Sequence, residues 1–341
     1  MMMNVLICVL MGLHIVEGKG TVVFENDEAH CYRIPSVVQT SDGTVVAFAE
    51  SRDGSCADGN ARAIAVKISS DGGHTFSSNV TLAVGNESFW VGNPATVYTE
   101  SERIVLVYVT HGKGCTGDCG TGNGVVFSDD NGKTWSEHLD ISQEFGVASG
   151  AMPGPGTALQ TDTGRVMVIS HQGPYVADRI SYSDDDGVTW HTTNTSMKSM
   201  DEAALTQLQN GSILANMRHR EASKLGRAIS ISNDNGESFG PITYDARLIS
   251  PVCQASIVTF SNVTYFSNPA SKTSRSHLTI RKSTDSTATW DTQTYLIDEG
   301  PNFGYTCLVT GELVHVPGYG GVLYEAAGST INFQAFPLDL S

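Results

Sequence analysis

Ser69–Phe76 reads SSDGGHTF, and three later stretches repeat its pattern: Ser128–Trp135 (SDDNGKTW), Ser183–Trp190 (SDDDGVTW) and Ser232–Phe239 (SNDNGESF). Ser283–Trp290 (STDSTATW) is a fifth, degenerate copy that carries Thr287 where the others carry glycine. The starts lie 59, 55, 49 and 51 residues apart. A period near fifty residues marks an array of one supersecondary unit. Each copy reads as a tight turn between two strands: the aspartate accepts from backbone N–H groups, and glycine supplies the positive φ. The closing Trp or Phe is free to tuck under its own hairpin.

Working outward, an alternating strand precedes each copy: 63–68, 124–127, 179–182, 228–231 and 277–281. Further β-rich runs fill the intervals, at 44–49, 103–110, 165–170, 212–217 and 256–260. About four strands per period is the content of a propeller blade. Propellers commonly close by joining strands from both ends of the chain, and 21–24 and 313–325 are available for that. The expected fold is therefore an all-β, six-bladed β-propeller, with the boxes as structural turns remote from any active site.

The 341 residues and the unbroken period leave no room for a second domain, so residues 19–341 are expected to form one propeller. A net charge of −16 argues against a nucleic-acid partner. Residues 1–18 resemble a secretory signal, with an apolar run at 5–16 too short to span a membrane, although its first residues lack Lys and Arg. The expected address is secreted or extracellular, with the lysosome as the alternative.

Without Cys8, six cysteines remain, and an even number in a secreted chain implies three disulfides with 15 possible pairings. Cys115–Cys119, Cys31–Cys56 and Cys253–Cys307 are the pairings expected. Half of a metal site is the other reading of Cys115 and Cys119, but no His or Cys pair stands near them. Five glycosylation sequons occur, at Asn79, Asn86, Asn194, Asn210 and Asn262.

Tyr32-Arg33-Ile34-Pro35 precedes a strand that is followed by Glu50-Ser51-Arg52. An Arg-Ile-Pro entry followed by these repeated boxes resembles the sialidase (neuraminidase) family of exo-glycosidases, over nearly the whole chain after residue 18. The resemblance implies three arginines on different blades that clamp a substrate carboxylate: Arg33, Arg218 and Arg275, with Arg220 and Arg281 competing for the second and third places. Arginine suits the task because its planar fork binds a carboxylate bidentately and stays charged.

The family nucleophile is a tyrosine, and Tyr305 fits, with Tyr295 and Tyr319 as alternatives. A phenol has a pKa near 10 and needs a base. Glu202, 16 residues before Arg218, occupies the position of that base. Asp201 is its neighbour, expected to point to the opposite face of the strand. The acid/base is an aspartate in a loop about 25 residues after the first arginine; Asp58 fits and Asp53 is the rival. A Cys31–Cys56 bridge would anchor both Arg33 and Asp58.

Glu325 and Glu50 are expected to orient the arginines, with Arg52 in the same pocket. Asn93-Pro94 resembles a loop that touches the sugar, and Gly154-Pro155-Gly156 a turn whose following strand borders the pocket. Trp90, Phe89 and Tyr175 are candidates to hold the substituent at sugar carbon 5.

The resemblance thus implies a retaining exo-sialidase acting on sialylated glycans, glycoproteins or glycolipids. It implies a tyrosyl sialyl-enzyme, no cofactor and no metal. A monomer is expected. A trans-sialidase, a hydrolase specific for deaminated sialic acid and a non-catalytic sialic-acid-binding propeller are the alternatives.

Overall fold

The computed structural model describes residues 20–78, 81–85, 89–112, 120–145, 151–173, 175–301 and 304–340. The signal-like segment, Cys8, Cys115, Cys119, Asn79 and Asn86 lie outside the described residues. Among those described, strands form six separate sheets and helix is confined to Ala222–Leu225 and a 3-10 turn at Asp58–Asn60.

Blade 1 runs outward from His30–Gln39 through Val45–Asp53 and Ala61–Ser69 to Thr81–Gly85. Blade 2 repeats this with Phe89–Tyr98, Ile104–Gly112, Gly120–Ser128 and Leu139–Asp140. In blade 3 the innermost strand is broken into Met152–Pro153 and Leu159–Gln160, which pair with Val166–His171; Ala177–Ser183 follows. Blade 4 contains Met200–Gln207, Ile213–His219, Arg227–Ser232 and Thr243–Asp245. Blade 5 contains Ser256–Phe260, Val263–Pro269, Leu278–Ser283 and Tyr295–Asp298. Blade 6 is built from Thr306–Leu308, Tyr319–Ala326 and Thr330–Pro337, and Thr21–Glu25 pairs antiparallel to its edge. The N-terminal strand thus closes the ring, as the strand count predicts.

Each box joins the third strand of its blade to the fourth. In the first, Ser69 Oγ donates to Asp71 Oδ1 (2.7 Å), and Gly73 N–H donates back to Ser69 Oγ (2.9 Å). Thr75 N–H and Oγ1 donate to the two Asp71 oxygens at 2.9 and 2.6 Å. The degenerate copy keeps this scheme: Thr287 N–H reaches Ser283 Oγ at 3.0 Å, and Thr289 caps Asp285.

The box aromatics go elsewhere than expected. Phe76 packs edge-on to Phe333 of blade 6, and Trp135 to Phe48 of blade 1. Trp190 joins Val105 and Val107 of blade 2, Phe239 joins Met167 of blade 3, and Trp290 joins Leu208 and Leu214 of blade 4. These rings therefore staple each blade to the one before it. The hydrophobic core follows the same plan, one apolar cluster at each blade-to-blade contact.

The Cys31–Cys56 disulfide is present, with Cα atoms 5.2 Å apart. Cys253 and Cys307 are not joined. Cys253 packs with Ile34 and Tyr305, whereas Cys307 belongs to the cluster between blades 1 and 6 and lies 3.2 Å from Thr157 Oγ1. The two thiols sit in different packing environments, and burial pushes the pKa of each up to about 11. Asn194, Asn210 and Asn262 are all exposed.

Candidate active site

At one end of the propeller axis the first residues of the inner strands converge on a cavity of about 410 Å³. It is lined by Arg33, Glu50, Arg52 and Asp58 of blade 1, Gly92, Asn93 and His111 of blade 2, and Met152, His171 and Tyr175 of blade 3. Asp201, Glu202 and Arg218 come from blade 4, with Arg275 from blade 5 and Tyr305 from blade 6. A cavity at the opposite end is lined by threonines, glutamines and apolar chains, and among the described residues Tyr98 is the one titratable group in its wall.

Tyr305 is 7% exposed, and its hydroxyl donates a short hydrogen bond to Glu202 Oε1. The other Glu202 oxygen accepts from Arg218 Nη1 at 2.5 Å, and Arg218 Nη1 lies 3.5 Å from the Tyr305 hydroxyl. Burial, then the Glu202 charge, raises the Tyr305 pKa well above 10, against the pull of Arg218. Burial disfavours the Arg218 charge, but Glu202 and Tyr305 outweigh it and keep the guanidinium firmly protonated.

Arg33 and Glu325 form a buried bidentate pair, with Nε–Oε1 at 2.6 Å and Nη2–Oε2 at 3.3 Å. Glu325 also accepts from Ile34 N–H and Tyr305 N–H, both at 3.1 Å. One carboxylate thus sets the Arg33 fork and the Tyr305 backbone together. A bulge between Arg33 and Ser36 leaves Ile34 at φ 59°, in the left-handed region that a β-branched residue avoids, held there by this bond. Arg33 and Arg275 approach the Tyr305 ring, their Cζ atoms 5.2 and 5.6 Å from its centroid.

Asp58 stands at the rim, 84% exposed, and accepts from Arg52 Nη1 at 2.8 Å. Arg52 in turn pairs with Glu50 Oε2 at 2.6 Å, and Glu50 Oε1 accepts from Asn93 N–H at 2.7 Å. Asn93 Nδ2 donates to the Pro153 carbonyl at 3.1 Å, which ties blade 2 to blade 3. The Cys31–Cys56 bridge anchors the Asp58 loop to the strand that carries Arg33.

Arg33, Glu50, Arg52, Asp58, Asn93, Glu202, Arg218, Arg275 and Tyr305 all line this cavity, and Glu325 stands against it through its bond to Arg33. The rivals do not. Arg220 lies over the Tyr175 ring, Arg281 bonds to Asn268, and Asp53 pairs with Arg62, all outside the cavity lining. Tyr295 bonds to Gln334, and Tyr319 packs in the core between blades 1 and 6. Trp90 is covered by the Arg62 guanidinium at 3.5 Å and does not line the cavity; the Phe89 side chain lies outside the described residues. Tyr175 does line it and accepts from Arg218 Nε at 3.1 Å. After Gly154–Gly156 the chain pairs with blade 2 as Gly156–Thr157, and Met152, before the turn, reaches the pocket instead.

One correction concerns blade 4. Asp201 does not point away from Glu202: a bulge between Met200 and Ala203 breaks the alternation, and both line the cavity, with Glu202 N–H donating to Asp201 Oδ1 at 2.7 Å. Behind them lie Asp178 and Arg227, both fully buried and neither singled out from sequence. Arg227 Nε donates to Asn216 at 2.7 Å and Nη1 to the Cys253 carbonyl at 2.6 Å, while burial lowers its pKa to about 10.

Residues 43–316 match the BNR repeat-like domain family. A sialidase of Bacteroides fragilis is 27% identical over 94% of this chain and 64% of its own length, and one of Micromonospora viridifaciens is 29% identical over 90% and 51%. The chain thus spans between half and two thirds of the length of these relatives. Among solved structures, the Hadza microbial sialidase Hz136 superposes with a TM-score of 0.81 at 26% identity, over 94% of this chain and 68% of that one. A leech intramolecular trans-sialidase shares the fold, with a TM-score of 0.77 at 18% identity over 95% and 71%.

Proposed function

The chain belongs to the BNR repeat-like domain family, in which it is similar to sialidases, and on that premise we propose that it is a retaining exo-sialidase. The observation that carries this reading is the Tyr305 hydroxyl bonded to Glu202 on the cavity floor, with Arg33, Arg218 and Arg275 around it.

In this reading the three guanidiniums hold the carboxylate of a terminal sialic acid, with its anomeric carbon above Tyr305. That carbon bears the carboxylate, so an anionic nucleophile would be repelled, whereas a neutral phenol is not; glycosidases with a tyrosine nucleophile are an exception to the paired-carboxylate scheme. Burial makes the phenol reluctant to ionise, so its proton must leave as the bond forms, and Glu202 is in hydrogen-bond contact to accept it. The phenolic oxygen attacks, the glycosidic bond breaks, and Asp58 gives its proton to the leaving oxygen. Asp58 then takes a proton from water, which attacks the same carbon. The tyrosyl bond breaks and Tyr305 recovers its proton from Glu202. Two inversions give net retention. Arg218, 3.5 Å from the phenolic oxygen, stabilises the negative charge that passes through it.

Secretion is proposed as well: the apolar run at 5–16 and the Cys31–Cys56 disulfide both suit an oxidising compartment. Among the described residues no helix is long and apolar enough to cross a membrane.

The test is hydrolysis of a fluorogenic N-acetylneuraminic acid glycoside at about pH 5 by the wild type and Tyr305→Phe. Release by the wild type with loss of at least roughly 10²-fold in the variant is expected, the scale of a removed catalytic group. Binding of the sugar without release, even from the deaminated analogue, would replace this reading by that of a binding propeller.

A further inference from the structure

In blade 3, His171 and Asp178 are direct cross-strand partners. Such partners share one face of the sheet, with Cβ atoms about 4.5–5.5 Å apart. The face is the one turned to blade 4, because Ile169 and Ile180, next along the same alternation, pack with Met200, Ala203 and Met217. On its far side Asp178 is paired with Met197, a buried apolar residue.

Among the described residues, neither Asp178 oxygen has a hydrogen-bond partner, and the side chain is wholly buried. His171 Nδ1 is likewise sealed from solvent and without a partner. Two orphaned groups therefore face each other across one rung of a ladder. Leaving both unmade is costly, and side chains of direct cross-strand partners stand close enough to interact. Nδ1 is the buried nitrogen, so Nε2 remains to meet a ligand, and His171 lines the active-site cavity.

We propose that Asp178 and His171 form a hydrogen-bonded dyad in the pocket wall, Asp178 as positioning residue and His171 as a donor to an oxygen of the bound sugar. Given the sialidase reading, on which this rests, the position selects which oxygen. The carboxylate clamp stands on blades 1, 4 and 5, and Tyr305 on blade 6. Blade 3 lies across the axis from blade 6, so His171 meets the substituents on the ring carbons farthest from the anomeric centre.

The groups facing Asp178 are consistent with one proton held in the pair. Burial, then the charge of Asp201, disfavours an isolated carboxylate, Arg227 opposes this, and Glu202 adds to it. Arg227 is already engaged by Asn216 and the Cys253 carbonyl, although its Nη2 lacks a partner among the described residues. Around His171 the cavity presents Tyr175, Asp201, Glu202 and Arg218. With the shared proton on either atom, Nε2–H points to the ligand.

Two readouts test the dyad. In kinetics, His171→Phe is expected to raise KM roughly three- to tenfold, the worth of one lost neutral hydrogen bond, with a smaller change in kcat. His171→Gln returns a donor and should recover part of the loss. Asp178→Leu should match His171→Phe, and the double variant should be no worse than either, the mark of one shared interaction. In long-range ¹H–¹⁵N spectra, Asp178→Asn, which keeps the shape, should shift the His171 Nδ1 resonance, the nitrogen that the carboxyl holds. An unmoved Nδ1 resonance, a KM unchanged in His171→Phe, or additive single losses would overturn the proposal. The spectra need no turnover, so a wild type that hydrolyses nothing would sink the sialidase reading while the Nδ1 resonance still decides the dyad.

Discussion

Glu325 carries a heavy structural burden, since it receives Arg33 twice and two backbone N–H groups. Removing it leaves a buried guanidinium and two buried amides without their acceptor. Glu325→Ala is therefore expected to lower stability by about 3–5 kcal/mol, the cost of breaking a buried ion pair from one side. Urea unfolding measures this, and a loss under about 1 kcal/mol would show that Arg33 finds another anion. At this scale the sequence was readable where a charge has to converge with others. Arg33, Arg218, Arg275, Glu202, Tyr305 and Asp58 sit in recognisable local contexts, and the cavity brings them together. Asp201 was misread because a bulge cancels strand alternation without a signal in composition. Asp178 and His171 were invisible for a different reason: each is an unremarkable strand residue, and only the register of their hairpin places them face to face.

At the scale of the element, the boxes were legible because their turn chemistry is local: serine, aspartate and threonine bond within seven residues. The destination of the aromatic was not, since packing on the preceding blade is a property of the ring of blades. That packing also explains the box glycine. At Gly73 (φ 90°) a Cβ would collide with the Phe333 ring, and at Gly132 (φ 81°) it would meet Val46 of blade 1 at 2.8 Å. In the fifth box Thr287 takes up φ 70°, an expensive conformation for a β-branched residue, and lines a groove of about 620 Å³ between blades 4 and 5. Thr287→Gly should stabilise the protein by about 1 kcal/mol, because relief of 1–3 kcal/mol of backbone strain exceeds the entropic cost of glycine. Thermal unfolding tests this, and a lower Tm would mean that the Thr287 contacts across the groove outweigh the strain.

For the whole molecule, the six-blade count and closure by Thr21–Glu25 followed from the period and the leftover strands. The disulfide set did not follow. Counting cysteines gives parity but no positions, and Cys253 and Cys307 belong to different packing clusters. The repeated boxes also give the fold a collective acid sensitivity. The Thr289 hydroxyl, followed by its N–H, lowers the Asp285 pKa to about 2. In Asp71, Asp130 and Asp185 burial pushes upward, but the bonds from the following threonine prevail, and in Asp234 the Ser238 hydroxyl leads. All five lie below the ordinary aspartate value of 3.8. Their folded-state values are depressed, so the stability they contribute is complete above about pH 4 and is lost as the pH falls through them toward 2. Denaturant midpoints should fall steeply across that window; a flat profile between pH 4 and pH 2 would contradict the account.

The central claim is that Tyr305 carries the sugar during turnover. The most direct measurement is the mass of the protein after reaction with a 2,3-difluorinated sialic acid, whose fluorine at carbon 3 slows release of the covalent intermediate. The account predicts one added sialyl group per chain, located by peptide mapping on Tyr305 and missing in Tyr305→Phe. An enzyme that hydrolyses the fluorogenic glycoside yet is labelled on another residue would contradict it.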